Sequence, residues 1–184
     1  GRCELPKYEI CQYAKAHRKS KRGRISIVDL IADGSLKAGH LRLSSGVSVD
    51  HFESRLKGRT YTSYGKTTSD QYVGGCIFVD HMSGYIHVEP QLGFSSSETI
   101  RAVLNFEKLC LDNGTLVQSY LADNKIFKGK DFIKHIIDSN QRAQYCRVNA
   151  HHQNGIAERN IRVISDMARA MILHASLKWK NGID

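Results

Sequence analysis

From residue 47 onward the hydrophobic pattern changes period in a set order, and that order most restricts the fold. Val47-Ser48-Val49-Asp50-His51-Phe52 alternates apolar and polar residues, as a half-buried strand does. A polar stretch from Thr60 to Ser69 reads as a turn region, and Val73 to Asp80 reads as a buried strand. Ser83-Gly84 turns the chain, and Tyr85-Ile86-His87-Val88-Glu89 returns as a third strand. The period then lengthens. Ser95-Ser96-Ser97-Glu98 offers helix caps ahead of Ile100, Val103, Leu104, Phe106 and Leu109, and Asp112-Asn113-Gly114 stops the helix. A strand over 116–123, a helix over 129–139, a strand over 143–148 and a helix over 155–177 follow. In the last helix Ala157, Ile161, Ile164, Ala168, Met171 and Ala175 keep 4-3-4-3-4 spacing. The order β-β-β-α-β-α-β-α predicts an α/β domain: a meander of three strands joined to alternating units, giving a mixed five-stranded sheet with helices packed on it.

Ahead of this region the pattern is weaker. Residues 1–24 carry eight Lys or Arg against two acids, densest at His17-Arg18-Lys19-Ser20-Lys21-Arg22-Gly23-Arg24. Like charges so close repel, and the stretch reads as an exposed arm: a binder of phosphates, a nuclear address or a plain solvated tail. Residues 25–46 are mixed, and Ser44-Ser45-Gly46 reads as a linker. The whole chain has a formal net charge of +9, which favours a polyanionic partner. No membrane span and no secretory leader are expected, and the odd set of Cys3, Cys11, Cys76, Cys110 and Cys146 suits a reducing compartment. The expected location is therefore nuclear or cytoplasmic.

Three acids occupy special places. Asp50 lies in the first strand, Asp123 at the end of the fourth, and Glu158 in the first turns of the last helix. If the first and fourth strands are neighbours, the two aspartates meet, and a helix starting above that sheet edge brings Glu158 to them. Carboxylates so close repel, and a hard divalent cation with oxygen ligands resolves the conflict. Two such ions about 4 Å apart serve phosphoryl transfer, a chemistry suited to a basic protein. Three unrelated surface acids are the plainer reading.

These residues also resemble a known family. Val47-Ser48-Val49-Asp50, Tyr120-Leu121-Ala122-Asp123-Asn124 and His152-Gln153-Asn154-Gly155-Ile156-Ala157-Glu158-Arg159-Asn160 look like the DDE signature of retroviral and retrotransposon integrases, with 35 positions from Asp123 to Glu158. Gln153 to Arg159, Met167-Ala168-Arg169-Ala170-Met171 and Phe78 to Tyr85 resemble the copia-type branch of LTR retrotransposons. The likeness covers about residues 45–176. It implies an RNase H-like fold, polynucleotidyl transfer of element cDNA into target DNA with Mg²⁺ or Mn²⁺, and a homo-oligomer. It also implies that Asp50 bridges two ions, Asp123 holds one and Glu158 the other.

By the same resemblance, residues 1–44 are the remnant of a zinc-binding pre-integrase module and 45–184 the catalytic core. The zinc site is incomplete, because Tyr8 stands where the first Cys of a Cys-x-x-Cys pair with Cys11 is expected. Lys125 replaces the family's usual glycine after Asp123-Asn124.

Further residues divide between function and structure. Arg162, Ser165 and Arg169 fall on the helical face of Glu158, as a basic rail for DNA or as a plain Glu158–Arg162 ion pair. With Arg159, Asn124, Lys125 and Asn154 they form the expected nucleic-acid contacts, although an Asn154-Gly155 turn explains Asn154 equally well. His151 and His152 are read as loop residues, Asp80 as a turn-bonded acid, Tyr120 and Trp179 as packing residues, and the later cysteines as core thiols. Two other functions fit the fold: an RNase H-like nuclease, for which Asp80 is the sole nearby fourth carboxylate, and a decayed nucleic-acid-binding relic.

Overall fold

The structure, a computed structural model, describes residues 43–64, 66, 68–123, 126–146 and 154–178. The basic arm, Asn124, Lys125, His151, His152 and Trp179 therefore lie outside the described residues.

The elements come in the expected order. They are β1 (Val47–Arg59), β2 (Gln71–Asp80), β3 (Ile86–Gln91), α1 (Ser96–Asp112), β4 (Ser119–Ala122), α2 (Lys130–Asp138), β5 (Arg142–Tyr145) and α3 (Gly155–Lys178). Short 3₁₀ turns at Tyr61–Ser63 and Ile126–Lys128 add to these. The five strands form one mixed sheet in the order β3-β2-β1-β4-β5. β1 pairs antiparallel with β2 and parallel with β4, so the sense of the sheet changes across β1. This is an α/β domain of RNase H-like fold.

Period-two alternation sets the buried face. Val47 and Val49 of β1, Cys76 and Phe78 of β2, and Tyr120 and Ala122 of β4 all point to one side. Helices α1 and α2 cover that side with Ala102, Val103, Phe106, Cys110, Phe132 and Ile136, whose spacings of three and four make one apolar stripe per helix. Phe106 stacks on Phe78 at 4.5 Å between ring centres. The Ser95 hydroxyl caps α1 by accepting from the Glu98 N–H, and Gly114, at φ 74°, takes the left-handed turn that ends it.

Three expectations need correction. The fourth strand starts at Ser119, not 116: Leu116 is exposed while Val117 packs into the core, so the apolar run there lies ahead of the ladder. β1 runs on to Arg59, seven residues past the expected end, along a stretch of solvent-facing residues. Ser44-Ser45-Gly46 is not a solvated linker. Ser44 and Gly46 are buried, and the Ser44 N–H donates to Asp80 Oδ1 at 3.0 Å.

Candidate active site

The register of the two parallel strands decides where the first two acids go. Val49 stands opposite Ala122, so the next residue on each strand is an aspartate, Asp50 in β1 and Asp123 just past β4. Neighbouring strands lie about 4.8 Å apart. Both residues line one cavity of about 230 Å³, together with His51, Phe52, Glu53, Phe94 and Phe127. The cavity lies where the parallel β1–β4 ladder ends, on the strand where the sheet changes sense, a position where α/β sheets form ligand crevices. Asp50 Oδ1 accepts from the His51 N–H at 2.8 Å.

Glu158 sits in the first turn of α3, exposed, and is not among the residues lining the cavity. The start of α3 is nevertheless tied to β1. Asn154 is 2% exposed, and its Nδ2 donates to the Val49 carbonyl at 3.0 Å. Glu158 follows four residues later, about one helical turn, or roughly 6 Å, further on. Ala157 is fully buried beside it. The Cys146 thiol lies one residue past β5. Burial pushes its pKa up, and the negative charges of Asp123, Asp50 and Glu158 push it further. Among the described residues, no three His, Cys, Asp or Glu side chains form a group arranged to hold one ion.

His51 is the main residue that sequence reasoning missed. Its ring stacks on Phe127 at 4.6 Å, meets Phe94 edge-on at 5.7 Å, and has Thr99 Oγ1 at 3.4 Å from Nε2. Burial lowers its pKa to about 4, so the ring beside Asp50 is neutral at neutral pH. A histidine next to the first aspartate was a signal in the sequence. The aromatic walls were not, because Phe94 and Phe127 arrive from two different loops.

The other expected residues separate clearly. Asp80 is buried and committed to structure: Oδ1 accepts from the Ser44 N–H, and Oδ2 from the Ser83 N–H at 2.8 Å and hydroxyl at 2.6 Å. Asn154, expected at nucleic acid, faces the β1 backbone instead of solvent, because an amide there satisfies a buried carbonyl. Arg159 and Arg162 are exposed on α3. Arg169, also exposed, bonds Asp166 at 3.2 Å. Tyr120 is a packing residue whose hydroxyl donates to Glu107 at 2.8 Å, and Cys76, Cys110 and Cys146 are buried free thiols.

Fold and cavity thus define an RNase H-like domain with paired aspartates where the parallel β1–β4 ladder ends. The same fold occurs in retroviral integrases. The catalytic core domain of HTLV-2 integrase in complex with magnesium matches in its trimeric form at 19% identity and TM-score 0.51, over 75% of each chain. Its dimeric form matches at 19% identity and TM-score 0.53, over 78% of this chain and 79% of that one. The intasome of simian T-cell lymphotropic virus, in complex with the PP2A regulatory subunit B56 gamma, matches at 15% identity and TM-score 0.50, over 77% of this chain and 50% of that one. At these identities the likeness is one of fold. The sequence matches no protein-family model and no curated protein.

Proposed function

We propose that this chain is the catalytic core of a retroelement integrase of the copia type, a metal-dependent polynucleotidyl transferase acting on DNA. One observation carries the reading: the β1–β4 register sends Asp50 and Asp123 into the same cavity, and the first turn of α3 is anchored to the residue before Asp50. An all-oxygen pair of carboxylates in a shared cavity fits Mg²⁺ or Mn²⁺. Asp50 and Asp123 would hold the ion, with Glu158 contributing from α3. When bound, the metal supplies Lewis-acid stabilisation of phosphoryl oxygens and an activated nucleophile.

The chain's own residues prepare this site. The rigid β1–β4 pair fixes the spacing of the two aspartates. Phe94 and Phe127 hold the His51 ring in place beside them. Arg159, Arg162 and Arg169, with Asn124 and Lys125, are assigned to DNA backbone. The HTLV-2 core occurs in trimeric and dimeric forms, and self-association is proposed here too. So is a nuclear or cytoplasmic location, with residues 1–44 as a basic segment that does not bind zinc.

A nuclease of the same fold fits less well, since both oxygens of Asp80, the fourth acid it would use, are engaged, Oδ1 by Ser44 and Oδ2 by Ser83. Asp80 also pairs with Val47, three register positions from Asp50. The test is joining of DNA 3′ ends to a target duplex in Mn²⁺. Asp50→Asn and Asp123→Asn each remove metal-held charge stabilisation, so activity should fall by about a thousandfold. A folded parent that binds DNA yet never joins ends, or an Asp123→Asn variant as active as the parent, overturns the assignment.

A further inference from the structure

The far half of β1 carries a second surface. Past Glu53, which lines the cavity, the strand runs on through Ser54, Arg55, Leu56, Lys57, Gly58 and Arg59, all exposed. Its ladder with β2 breaks between Glu53 and Gly58 and resumes with Gly58 opposite Tyr72 and Arg59 opposite Gln71. Bulges of this kind bend a strand and re-aim its side chains. Arg55 and Lys57 lie within this irregularity and Arg59 just past it, which gathers three cations into a short exposed stretch. Arg59 stands opposite Gln71, six β2 residues from Ile77, the partner of Asp50, so the cations reach to roughly 20 Å from the aspartate.

A compact 3₁₀ turn closes the tip. The Ser63 N–H and hydroxyl both donate to the Thr60 carbonyl, at 3.0 and 2.7 Å, and the Lys66 N–H donates to the Ser63 carbonyl at 2.9 Å. The small residues Thr60 and Ser63 are the buried ones. The large rings face outward instead: Tyr61 is 84% and Tyr64 90% exposed, and Leu56 between the cations is 82% exposed. Tyr64 also adopts the left-handed conformation, φ 46° and ψ 39°, which is costly for a bulky side chain. Among the described residues neither tyrosine hydroxyl has a hydrogen-bond partner, and Arg55, Lys57, Arg59 and Lys66 make no ion pairs.

We propose that this hairpin, Glu53–Tyr72, grips single-stranded nucleic acid as it passes the cavity rim. Arg55, Lys57, Arg59 and Lys66 take backbone phosphates, and Tyr61 and Tyr64 stack on unpaired bases. Cations alone would suit any polyanion. Two solvent-facing aromatic rings beside them select a partner with exposed π-faces, which a base-paired duplex hides and an acidic peptide lacks. The grip does not depend on metal-ion chemistry at Asp50 and Asp123.

Fluorescence anisotropy in EDTA tests it, with labelled oligothymidylate, a blunt duplex, and polyglutamate as competitor, across a salt series. The parent should bind oligothymidylate more tightly than the duplex. Replacing Arg55, Lys57 and Arg59 together by Ser should weaken both complexes more than tenfold and flatten the single-strand log–log salt slope by about 2. Tyr61→Ala with Tyr64→Ala should weaken oligothymidylate alone by about 10- to 100-fold, with the salt slope unchanged. These positions are exposed, so melting temperatures should stay near the parent's and report intact folding. The assay contains no divalent metal and joins no ends, so failure of the grip is read separately from failure of catalysis. Affinities within twofold of the parent for both variants, equal loss of duplex and single strand on removing the tyrosines, or polyglutamate competing as well as oligothymidylate overturns the proposal.

Discussion

At the scale of single residues, His51 shows how burial turns an ordinary side chain into a pH-dependent one. Its folded pKa of about 4 lies below the usual 6.5, so between these values the unfolded chain takes up a proton that the folded chain refuses. The stabilising contribution of the neutral ring is complete above about pH 6.5 and is lost as pH falls toward 4. Urea unfolding of the metal-free protein at pH 7.5 and 5 should show this loss. His51→Gln should shrink the difference by on the order of 1 kcal/mol, a value reduced for the ring's partial exposure. An unaltered pH slope in the variant would mean that the ring is solvated. Asn154 makes the complementary point. Asn154→Ala strands the Val49 carbonyl and should cost about 1–2 kcal/mol in chemical denaturation, while loosening the link between α3 and β1.

At the scale of elements, β2 depends on having no side chain at two points. A Cβ on Gly74 would stand 2.1 Å from the Phe52 carbonyl oxygen and 2.8 Å from the Phe94 ring. On Gly75 it would meet the Glu89 carbonyl oxygen at 2.8 Å. Backbone cannot give way as a flexible side chain can, so Gly74→Ala should destabilise by about 3 kcal/mol or more. Because Phe52 and Phe94 both line the cavity, it should also disturb the site. Melting of the purified variant checks the first expectation. A variant melting within about 2 °C of the parent would show that β1 and β2 are not packed this closely. Among elements, the helices and the meander were the most legible in the sequence, since their periods extend over many residues. The ends were not. Leu116 and Val117 form a strand-like apolar pair ahead of β4, and the polar run Ser54–Arg59 hides the end of a strand, because pairing with β2, resumed at Gly58 and Arg59, rather than hydrophobicity marks it.

At the scale of the molecule, Glu107 ties distant segments together. It accepts from the Tyr120 hydroxyl of β4 and from Gln141 Nε2 before β5, both at 2.8 Å, and lies 2.9 Å from His135 Nε2 of α2. Glu107→Ala would leave the buried Tyr120 hydroxyl without this acceptor, and a loss of about 2–3 kcal/mol is expected in thermal or urea unfolding. The sequence by itself determined the alternation, the apolar stripes of α1 and α2, and the order of elements, because burial on one face imposes a repeat that can be read locally. It also marked Asp50, Asp123 and Glu158, through motif spacing. Tertiary structure alone decided that β1 lies between β2 and β4 with Val49 opposite Ala122, which turns two aspartates 73 positions apart into neighbours. It decided too that Asn154 serves the backbone and that His51 is walled by Phe94 and Phe127. Strand pairing and side-chain packing depend on contacts between residues far apart in the chain, and no local period records which of those contacts will form.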